Sequence, residues 1–396
     1  MFNLLQYPDC RNLQIDFASA DFLSFLPVWE RNSGAGGDMA NIDSIDEIKR
    51  LDEENILQNM QEFPEQIQRC WKDWQNIPFP TRFIQAKSIL ICGMGGSAIG
   101  AGLVAGLCPD AKIPIIIWRD YDIPGWVNKD TLVIASSYSG NTEETISSLR
   151  KASEKTDKII TLSTGGKIAS LATNYRALHY KIDYGSQPRA ALGYSFTSLL
   201  AIFSKLDLIE INDEDIREAI VLLRGLQKKI DAGVSSSYNN AKILAQKLEG
   251  FIPIVYGSGI LSEVARRWKG QFNENSKTAS YNEILPELNH NSLVGLEFPK
   301  DLRAKLFVII LQSKFDHPRN ILRQNITLQI LQKSRINCDS ILMQPSPTSL
   351  SELLQTSYFG DYVSYYLAIL NDIAPNPVEI ISFLKDKLAE HSMEVR

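Results

Sequence analysis

Short apolar runs that alternate with glycine-rich loops and helical patterns are the feature that most constrains the fold of this chain. The first run, SILIC at 88–92, leads directly into a loop and helix pattern at 93–107. Further apolar runs follow at 113–118, 131–136 and 158–164. Apolar strands that alternate with helices predict a parallel sheet whose two faces are covered by helices.

A second series of the same kind begins near residue 251. Residues 251–268 again indicate a strand, a Gly-x-Gly turn and a helix. Two further apolar runs, at 305–311 and 340–344, flank a helical pattern at 321–334. The two series indicate a weak internal duplication of one α/β unit. We therefore expect an α/β fold with two doubly wound parallel-sheet units of the flavodoxin-like, three-layer αβα type, followed by C-terminal helices.

The chain is long enough for two domains, because a single hydrophobic core rarely grows beyond about 250–300 residues and this chain has 396. The glycine-rich stretch at 31–38 is typical of a flexible linker. The predicted divisions are a flexible N-terminal extension at 1–41, a first unit with N-terminal helices at 42–205, a helical bridge at 206–250, and a second unit with C-terminal helices at 251–396.

Composition excludes several classes of protein. The formal net charge is −5, whereas nucleic-acid-binding proteins carry a basic excess or a clustered basic face. The five cysteines are scattered and form no Cys-x-x-Cys pair, which favours a reducing cytoplasm over a disulfide framework or a zinc site. No apolar run approaches the roughly 18 residues of a membrane span, and the four histidines show no metal-ligand spacing. We therefore expect a cytoplasmic protein that binds neither nucleic acid nor membrane and needs no metal or other cofactor.

The glycine-rich loop GMGGSAIG at 93–100 is the first candidate binding site. Glycines at a strand end allow a ligand to approach the backbone closely, and the N-terminus of the following helix suits a phosphate. The same loop also fits the dinucleotide pattern G-x-G-x-x-A, for which an acidic residue is expected about 20 positions further on. Asp120 lies 27 positions after Gly93, which is a poor match. The loop alone leaves a nucleotide site, a sugar-phosphate site and a plain tight turn open.

The segment TLVIASSYSGNTEET at 131–145 favours the sugar phosphate. An apolar strand is followed here by four serine or threonine hydroxyls and another helix N-terminus. Helix capping by Thr142 explains one of these hydroxyls but not the other three. In an open parallel sheet, two such loops at neighbouring strands share one crevice. The corresponding loop of the second series, 312–320, lacks this feature, so we expect one phosphate site per chain.

These two loops resemble the SIS domain, which binds phosphosugars. Four further stretches extend the resemblance: QPRAALGYS at 187–195, RWKGQFNENSKT at 267–278, LPELNHN at 285–291 and PVEIISFLKDKL at 377–388. Together and in this order, they are similar to the bifunctional phosphoglucose/phosphomannose isomerase family of archaea and bacteria. The resemblance covers roughly residues 42 to 390 and leaves the N-terminal extension outside it.

The resemblance implies a set of site residues. The expected phosphate ligands are Gly95, Gly96, Ser97, Ser137, Ser139 and Thr142. The expected catalytic residues are Glu274 as the base, Arg189 as the cation that stabilises the enediolate, His290 as the ring-opening group, and Lys385 beside the sugar ring, with Lys387 as its rival. In the family, the ring-opening histidine comes from the partner subunit, so the resemblance also implies a homodimer.

The residues alone leave these assignments open. Without the resemblance, Glu274 is more simply a surface glutamate, with Glu283 and Glu287 as equal rivals for a base, and His290 a core histidine. One carboxylate can nevertheless move a proton between adjacent carbons on one face of a cis-enediol. The function we expect is the interconversion of glucose 6-phosphate, and of mannose 6-phosphate, with fructose 6-phosphate. The alternatives are a non-catalytic phosphosugar sensor and a nucleotide-dependent oxidoreductase.

Overall fold

The computed structural model describes residues 41–390. The predicted linker at 31–38 and almost all of the N-terminal extension therefore lie outside the described residues. The two sheets and the helices around them belong to one compact unit. Among the described residues, no helix combines the length and the apolar character needed to cross a membrane.

The first sheet has five parallel strands within the described residues. They are β1 (Ser88–Cys92), β2 (Ile115–Trp118), β3 (Thr131–Ser136), β4 (Ile159–Ser163) and β5 (Leu178–Lys181). Their order is β2-β1-β3-β4-β5. The strand order reverses at β1, because the chain passes first to β2 on one side and then to β3 on the other. A crevice at the carboxyl ends of β1 and β3 is the expected binding position in such a sheet.

Helices surround this sheet. The N-terminal helices are α1 (Ile45–Leu51), α2 (Ile56–Gln61), α3 (Phe63–Gln75) and α4 (Thr81–Ile84), and those of the first unit are α5 (Gly95–Gly106), α6 (Glu143–Ser153), α7 (Gly166–Asn174) and α8 (Leu192–Lys205). A short 3-10 helix, Pro188–Ala190, precedes α8. The predicted helical bridge consists of α9 (Asp213–Ile230) and α10 (Asn240–Leu248).

The second sheet repeats the topology of the first with one strand fewer. Its strands are β6 (Ile252–Gly257), β7 (Tyr281–Ile284), β8 (Leu306–Gln312) and β9 (Asn337–Leu342), all parallel and in the order β7-β6-β8-β9. The intervening helices are α11 (Ser262–Glu274), α12 (Lys300–Arg303) and α13 (Pro318–Lys333). The predicted fold class, two parallel-sheet α/β units, is confirmed.

The C-terminal region contributes α14 (Ser349–Leu370) and α15 (Glu379–Glu390). All residues of α14 from Leu350 to Ile369 are buried, so this helix is surrounded on every side. It packs against α9, α10 and α11. A helix enclosed in this way joins the second unit to the bridge and fixes the position of α11, whose last residue is Glu274.

Candidate active site

The two predicted phosphate loops touch each other at the carboxyl ends of β1 and β3. A Cβ atom added to Gly93 would lie 2.8 Å from the carbonyl oxygen of Ser136, so only glycine permits this approach. The backbone N–H of Tyr138 donates a hydrogen bond of 3.1 Å to the Ser97 hydroxyl oxygen. The two loops are therefore in contact, as a shared crevice would require.

Hydroxyls and helix N-termini converge in this crevice. The hydroxyl oxygens of Ser137 and Thr142 are 2.8 Å apart, and Ser139 is exposed beside them. Thr142 is the N-cap residue of α6, but its side chain makes no capping hydrogen bond. The N-terminus of α5, at Gly95, likewise has no side-chain cap. Two helix N-termini without side-chain caps form a site suited to a phosphate.

The second phosphate loop is braced from its other side by the loop that follows β4. Gly140 adopts a φ of +69°, and a Cβ atom there would lie 1.9 Å from the carbonyl oxygen of Gly165. The N–H of Ile168 donates to the Gly140 carbonyl at 3.0 Å. The N–H of Lys167 donates to the Asn141 side-chain oxygen at 3.1 Å. These contacts fix the backbone around Ser139 and Thr142.

Tyr138 joins the phosphate loops to the segment that carries Arg189. Its hydroxyl donates to the carbonyl of Tyr184 and accepts from the N–H of Ser186 at 3.0 Å. Burial raises the pKa of Tyr138 to about 12, so the hydroxyl keeps its proton at neutral pH. Gly96 is also packed here, since a Cβ atom on it would lie 3.0 Å from the carbonyl oxygen of Pro188.

Arg189 is 4% exposed and is held on three sides. Its Nε–H donates to the Asn275 side-chain oxygen at 2.7 Å. Its Nη2 group donates to the carbonyl oxygens of Pro375 at 3.0 Å and Asn376 at 2.7 Å. Its Nη1 group faces the Glu274 carboxylate at 3.5 Å. Because an arginine has five N–H donors, the Nη1 pair is the part of the guanidinium that a substrate can engage.

Burial dominates the electrostatic surroundings of Arg189. It lowers the pKa of this guanidinium, although the carboxylates of Glu274 and Glu54 act to raise it. The backbone carbonyl of Arg189 accepts a 3.0 Å hydrogen bond from Arg267, whose guanidinium also donates to the buried carboxylate of Asp361 at 2.7 Å. Both the side chain and the backbone of Arg189 are therefore fixed before any ligand binds.

Glu274 is the one of the three rival glutamates that faces this cation. It is the last residue of α11, and its side chain is 33% exposed. Glu283 lies on β7 and pairs with Tyr256 near the carboxyl end of β6. Glu287 accepts a hydrogen bond from Asn291 in the loop that follows β7. Since α11 runs antiparallel to the strands, Glu274 lies at the amino ends of the strands of the second sheet. Glu283 and Glu287 lie toward their carboxyl ends.

His290 lies at the carboxyl ends of the strands, on the side of Glu283 and Glu287 and opposite Glu274. It ends the 3-10 helix Glu287–His290, and it is exposed. The neighbouring Asn289 is hydrogen-bonded to Thr327 at 2.9 Å and to Arg323 at 3.3 Å, both on α13. His290 and Glu274 of one chain therefore lie at opposite ends of the second sheet.

The predicted lysines lie on α15. Lys385 is exposed, and no contact between it and Glu274 or Arg189 occurs among the described residues. Lys387 donates to the carboxylate of Glu390 at 3.0 Å and lies 5.7 Å from the centre of the Phe383 ring. The structure therefore brings Arg189 and Glu274 together and leaves the lysines apart from them.

An acidic side chain lies at the reversal point of the second sheet. The carboxylate of Asp316 accepts a hydrogen bond from the Ser258 hydroxyl there. A Cβ atom on Gly259 would lie 2.9 Å from the same carboxylate. An anion of the protein thus fills the position where the first unit presents hydroxyls, and it would repel a phosphate. This arrangement favours the predicted single phosphate site per chain.

Four side chains near the site were missed by sequence reasoning. They are Tyr138, Asn275, Lys277 and Asn376. Asn275 and Lys277 lie inside the motif NENSK, close to Glu274. Their position in this motif was the sequence signal that could have identified them. Within residues 41–390, no group of three or more His, Cys, Asp or Glu side chains is arranged to hold a metal ion.

Known proteins are similar to this chain over most of its length. A family described as the bacterial phospho-glucose isomerase C-terminal SIS domain matches residues 237–388. A bifunctional phosphoglucose/phosphomannose isomerase from Caldicellulosiruptor bescii is 42% identical over 337 residues, which cover 85% of this chain and 99% of that protein. Another, from Aquifex aeolicus, is 32% identical over 308 residues, which cover 77% of this chain and 92% of that protein.

A solved structure of low sequence identity has the same fold. The tagatose-6-phosphate ketose/aldose isomerase from Escherichia coli superposes with a TM-score of 0.60 at 16% identity. The superposition covers 82% of this chain and 95% of that one. At this identity the likeness concerns the fold alone, and it agrees with the predicted class.

Proposed function

This chain belongs to the bifunctional phosphoglucose/phosphomannose isomerase family, and from that premise we propose that it interconverts glucose 6-phosphate and mannose 6-phosphate with fructose 6-phosphate. One observation carries the proposal: the Glu274 carboxylate faces a fixed, buried guanidinium at 3.5 Å. Proton abstraction beside a carbonyl needs a base next to a group that stabilises the oxygen on which negative charge develops. This pair supplies both.

The phosphate anchors the substrate in the crevice of the first unit. The proposed ligands are the backbone at Gly95 and Gly96 and the hydroxyls of Ser97, Ser137, Ser139 and Thr142. Binding energy from this remote group positions the reacting carbons. Gly96 packs against the 3-10 helix that carries Arg189, so the anchor is linked to the catalytic cation.

Glu274 then acts as the base on the open-chain sugar. It takes the proton from the carbon next to the carbonyl and returns it to the adjacent carbon, so that an aldose becomes a ketose. The Nη1 group of Arg189 stabilises the enediolate oxygen between these two steps. Rotation within the enediol presents its other face to the same carboxylate, which accounts for both the glucose and the mannose epimer.

Ring opening is assigned to His290 of a second copy of this chain. Imidazole exchanges protons near neutral pH. Within one chain, His290 and Glu274 lie at opposite ends of the strands of the second sheet. This separation supports donation of His290 to the partner's active site across a two-fold interface. We therefore propose a homodimer. Lys385 stays our choice for the lysine beside the sugar, because Lys387 is engaged with Glu390 on its own helix.

The cytoplasm is the proposed location. The cysteines within the described residues, Cys70, Cys92, Cys108 and Cys338, are all free thiols, as is usual in a reducing compartment. A charged hexose phosphate is also confined to the compartment in which it is made.

The decisive experiment is a turnover assay on purified protein with each 6-phosphate, excess chelator and no added nucleotide. We expect fructose 6-phosphate from both substrates, and a Glu274→Gln variant that binds substrate without turnover. Binding without any turnover in the parent would instead identify a phosphosugar sensor. A requirement for nucleotide would identify an oxidoreductase.

A further inference from the structure

Lys277 lies three residues beyond the proposed base, where the chain turns sharply out of α11. Its φ is +49°, in the left-handed region that few residues other than glycine adopt. This conformation folds the side chain back toward the end of the helix. The ammonium group donates to the carbonyl oxygens of Glu274 at 2.9 Å and Asn275 at 3.3 Å. It therefore caps the C-terminus of the helix that presents the base, which a cation also stabilises through the helix dipole.

The same ammonium group holds a second segment of the chain. It donates to the carbonyl oxygens of Ala374 at 2.8 Å and Pro375 at 3.0 Å, in the linker between α14 and α15. Pro375 is also an acceptor for the Arg189 guanidinium, at 3.0 Å. A carbonyl oxygen has two lone pairs, so Pro375 accepts from both cations at once. Lys277 thus contacts the helix end that carries Glu274 and the linker that holds Arg189.

Partial desolvation of the ammonium group makes this arrangement costly. Lys277 faces Arg189 from the 3-10 helix, Glu274 from α11 and Glu379 from the start of α15. Partial burial, with the nearby Arg189 charge, lowers the pKa of Lys277 to about 8. A neutral side chain would avoid this cost at this position. The observed geometry points to a role that needs the cation.

We propose that Lys277 is a positioning residue, which sets the distance between the Glu274 carboxylate and the Arg189 guanidinium by fixing the end of α11 to the linker at 374–376. This inference rests on the proposed isomerase function. Lys277 touches neither carboxylate nor guanidinium directly. It acts on the base through the Glu274 backbone and on the cation through the shared Pro375 carbonyl.

The test compares Lys277→Met with Lys277→Arg and with a control on the same helix, Lys269→Met. In Lys277→Met, kcat should fall between about 10-fold and 100-fold, as expected when a reacting group shifts by about 1 Å. KM should change little, because the proposed phosphate ligands lie on α5 and in the loop before α6. Lys277→Arg should recover much of the rate, since it keeps the charge and several donors. Lys269→Met should match the parent.

A pH profile separates positioning from simple stabilisation of the fold. In the parent, kcat should decline as the pH rises through about 8, the pKa of Lys277, because the neutral amine binds the carbonyls less strongly. In Lys277→Arg, the decline should disappear, because a guanidinium stays charged. Its persistence in Lys277→Arg would overturn the inference, as would an unchanged kcat in Lys277→Met.

A second readout keeps the inference testable if the proposed function fails. An absence of isomerase activity in the parent would refute the function and leave the geometry to be examined alone. The ¹⁵N–¹H resonance of the Arg189 Nε group then reports on the guanidinium directly. It should shift in Lys277→Met and stay in place in Lys269→Met. An unmoved Arg189 resonance in a folded Lys277→Met protein would refute the positioning role.

Discussion

Mixing two inactive variants tests how the active site is shared between subunits. Glu274→Gln removes the proposed base and His290→Gln removes the proposed ring-opening group, so each homodimer should be inactive. After dissociation and random reassociation, about half of the dimers contain one chain of each kind. If His290 serves the partner's site, each mixed dimer has one site with both residues intact. Activity should therefore recover to about a quarter of the parent.

The structure supplies a matched control for this experiment. Arg189 and Glu274 of one chain are 3.5 Å apart, so they belong to the same site. When Arg189→Met is mixed with Glu274→Gln, every site in every dimer keeps one lesion and nothing should recover. The assay is fructose 6-phosphate formation, with subunit exchange followed by differently tagged chains. Confirmed exchange without recovery in the Glu274 and His290 mixture would refute the shared site.

Other predictions concern binding, metals and stability. Ser139→Ala and Thr142→Ala should each weaken binding of the 6-phosphate by about 1.5–3 kcal/mol, the value of a hydrogen bond to a charged acceptor, as measured by titration calorimetry; parent-like binding in both would mean that the phosphate lies elsewhere. Activity should survive excess chelator, and a loss that zinc restores would contradict this. Burial raises the pKa of Glu352, so the folded state favours the protonated carboxyl group. The contribution of Glu352 to the free energy of unfolding is therefore fully present at low pH and is lost as the pH rises through its folded-state pKa. Glu352→Gln should flatten this dependence of the melting temperature on pH, and an unchanged slope would show that the carboxyl group does not titrate in this way.

Strands buried on both faces were predictable, and edge strands were predictable only where they are apolar, as in β2. The runs at 88–92 and 131–136 coincide with β1 and β3. Both faces of these strands are buried, so most of their residues are apolar. β5 and β7 were missed because each lies at the edge of its sheet and is partly exposed. β9 begins three residues before the predicted run at 340–344, because polar residues are tolerated on its exposed face.

Only those residues of the candidate site that lie in recognisable motifs could be predicted from the sequence. The glycine-rich loop and the hydroxyl loop indicated a shared crevice, and the resemblance brought Arg189 and Glu274 into one site. The capping role weighed for Thr142 is not seen, because its hydroxyl lies against Ser137 instead. The backbone carbonyls that hold Arg189 belong to residues 375 and 376. Every residue has a backbone carbonyl, so the sequence does not show which carbonyls accept hydrogen bonds from Arg189. Only the structure identifies them.

The enclosed helix α14 has a consequence for biosynthesis. Its residues fill the space between the bridge and α11, and the Tyr365 hydroxyl donates to the Asp52 carboxylate of the N-terminal helices at 3.0 Å. Domains usually fold in turn as they leave the ribosome, the N-terminal one first. Here the earliest helices acquire their packing partner only after residue 370 has been translated. A nascent chain of this protein therefore remains incompletely folded, with apolar surface exposed to chaperones, until the residues of α14 have left the ribosome.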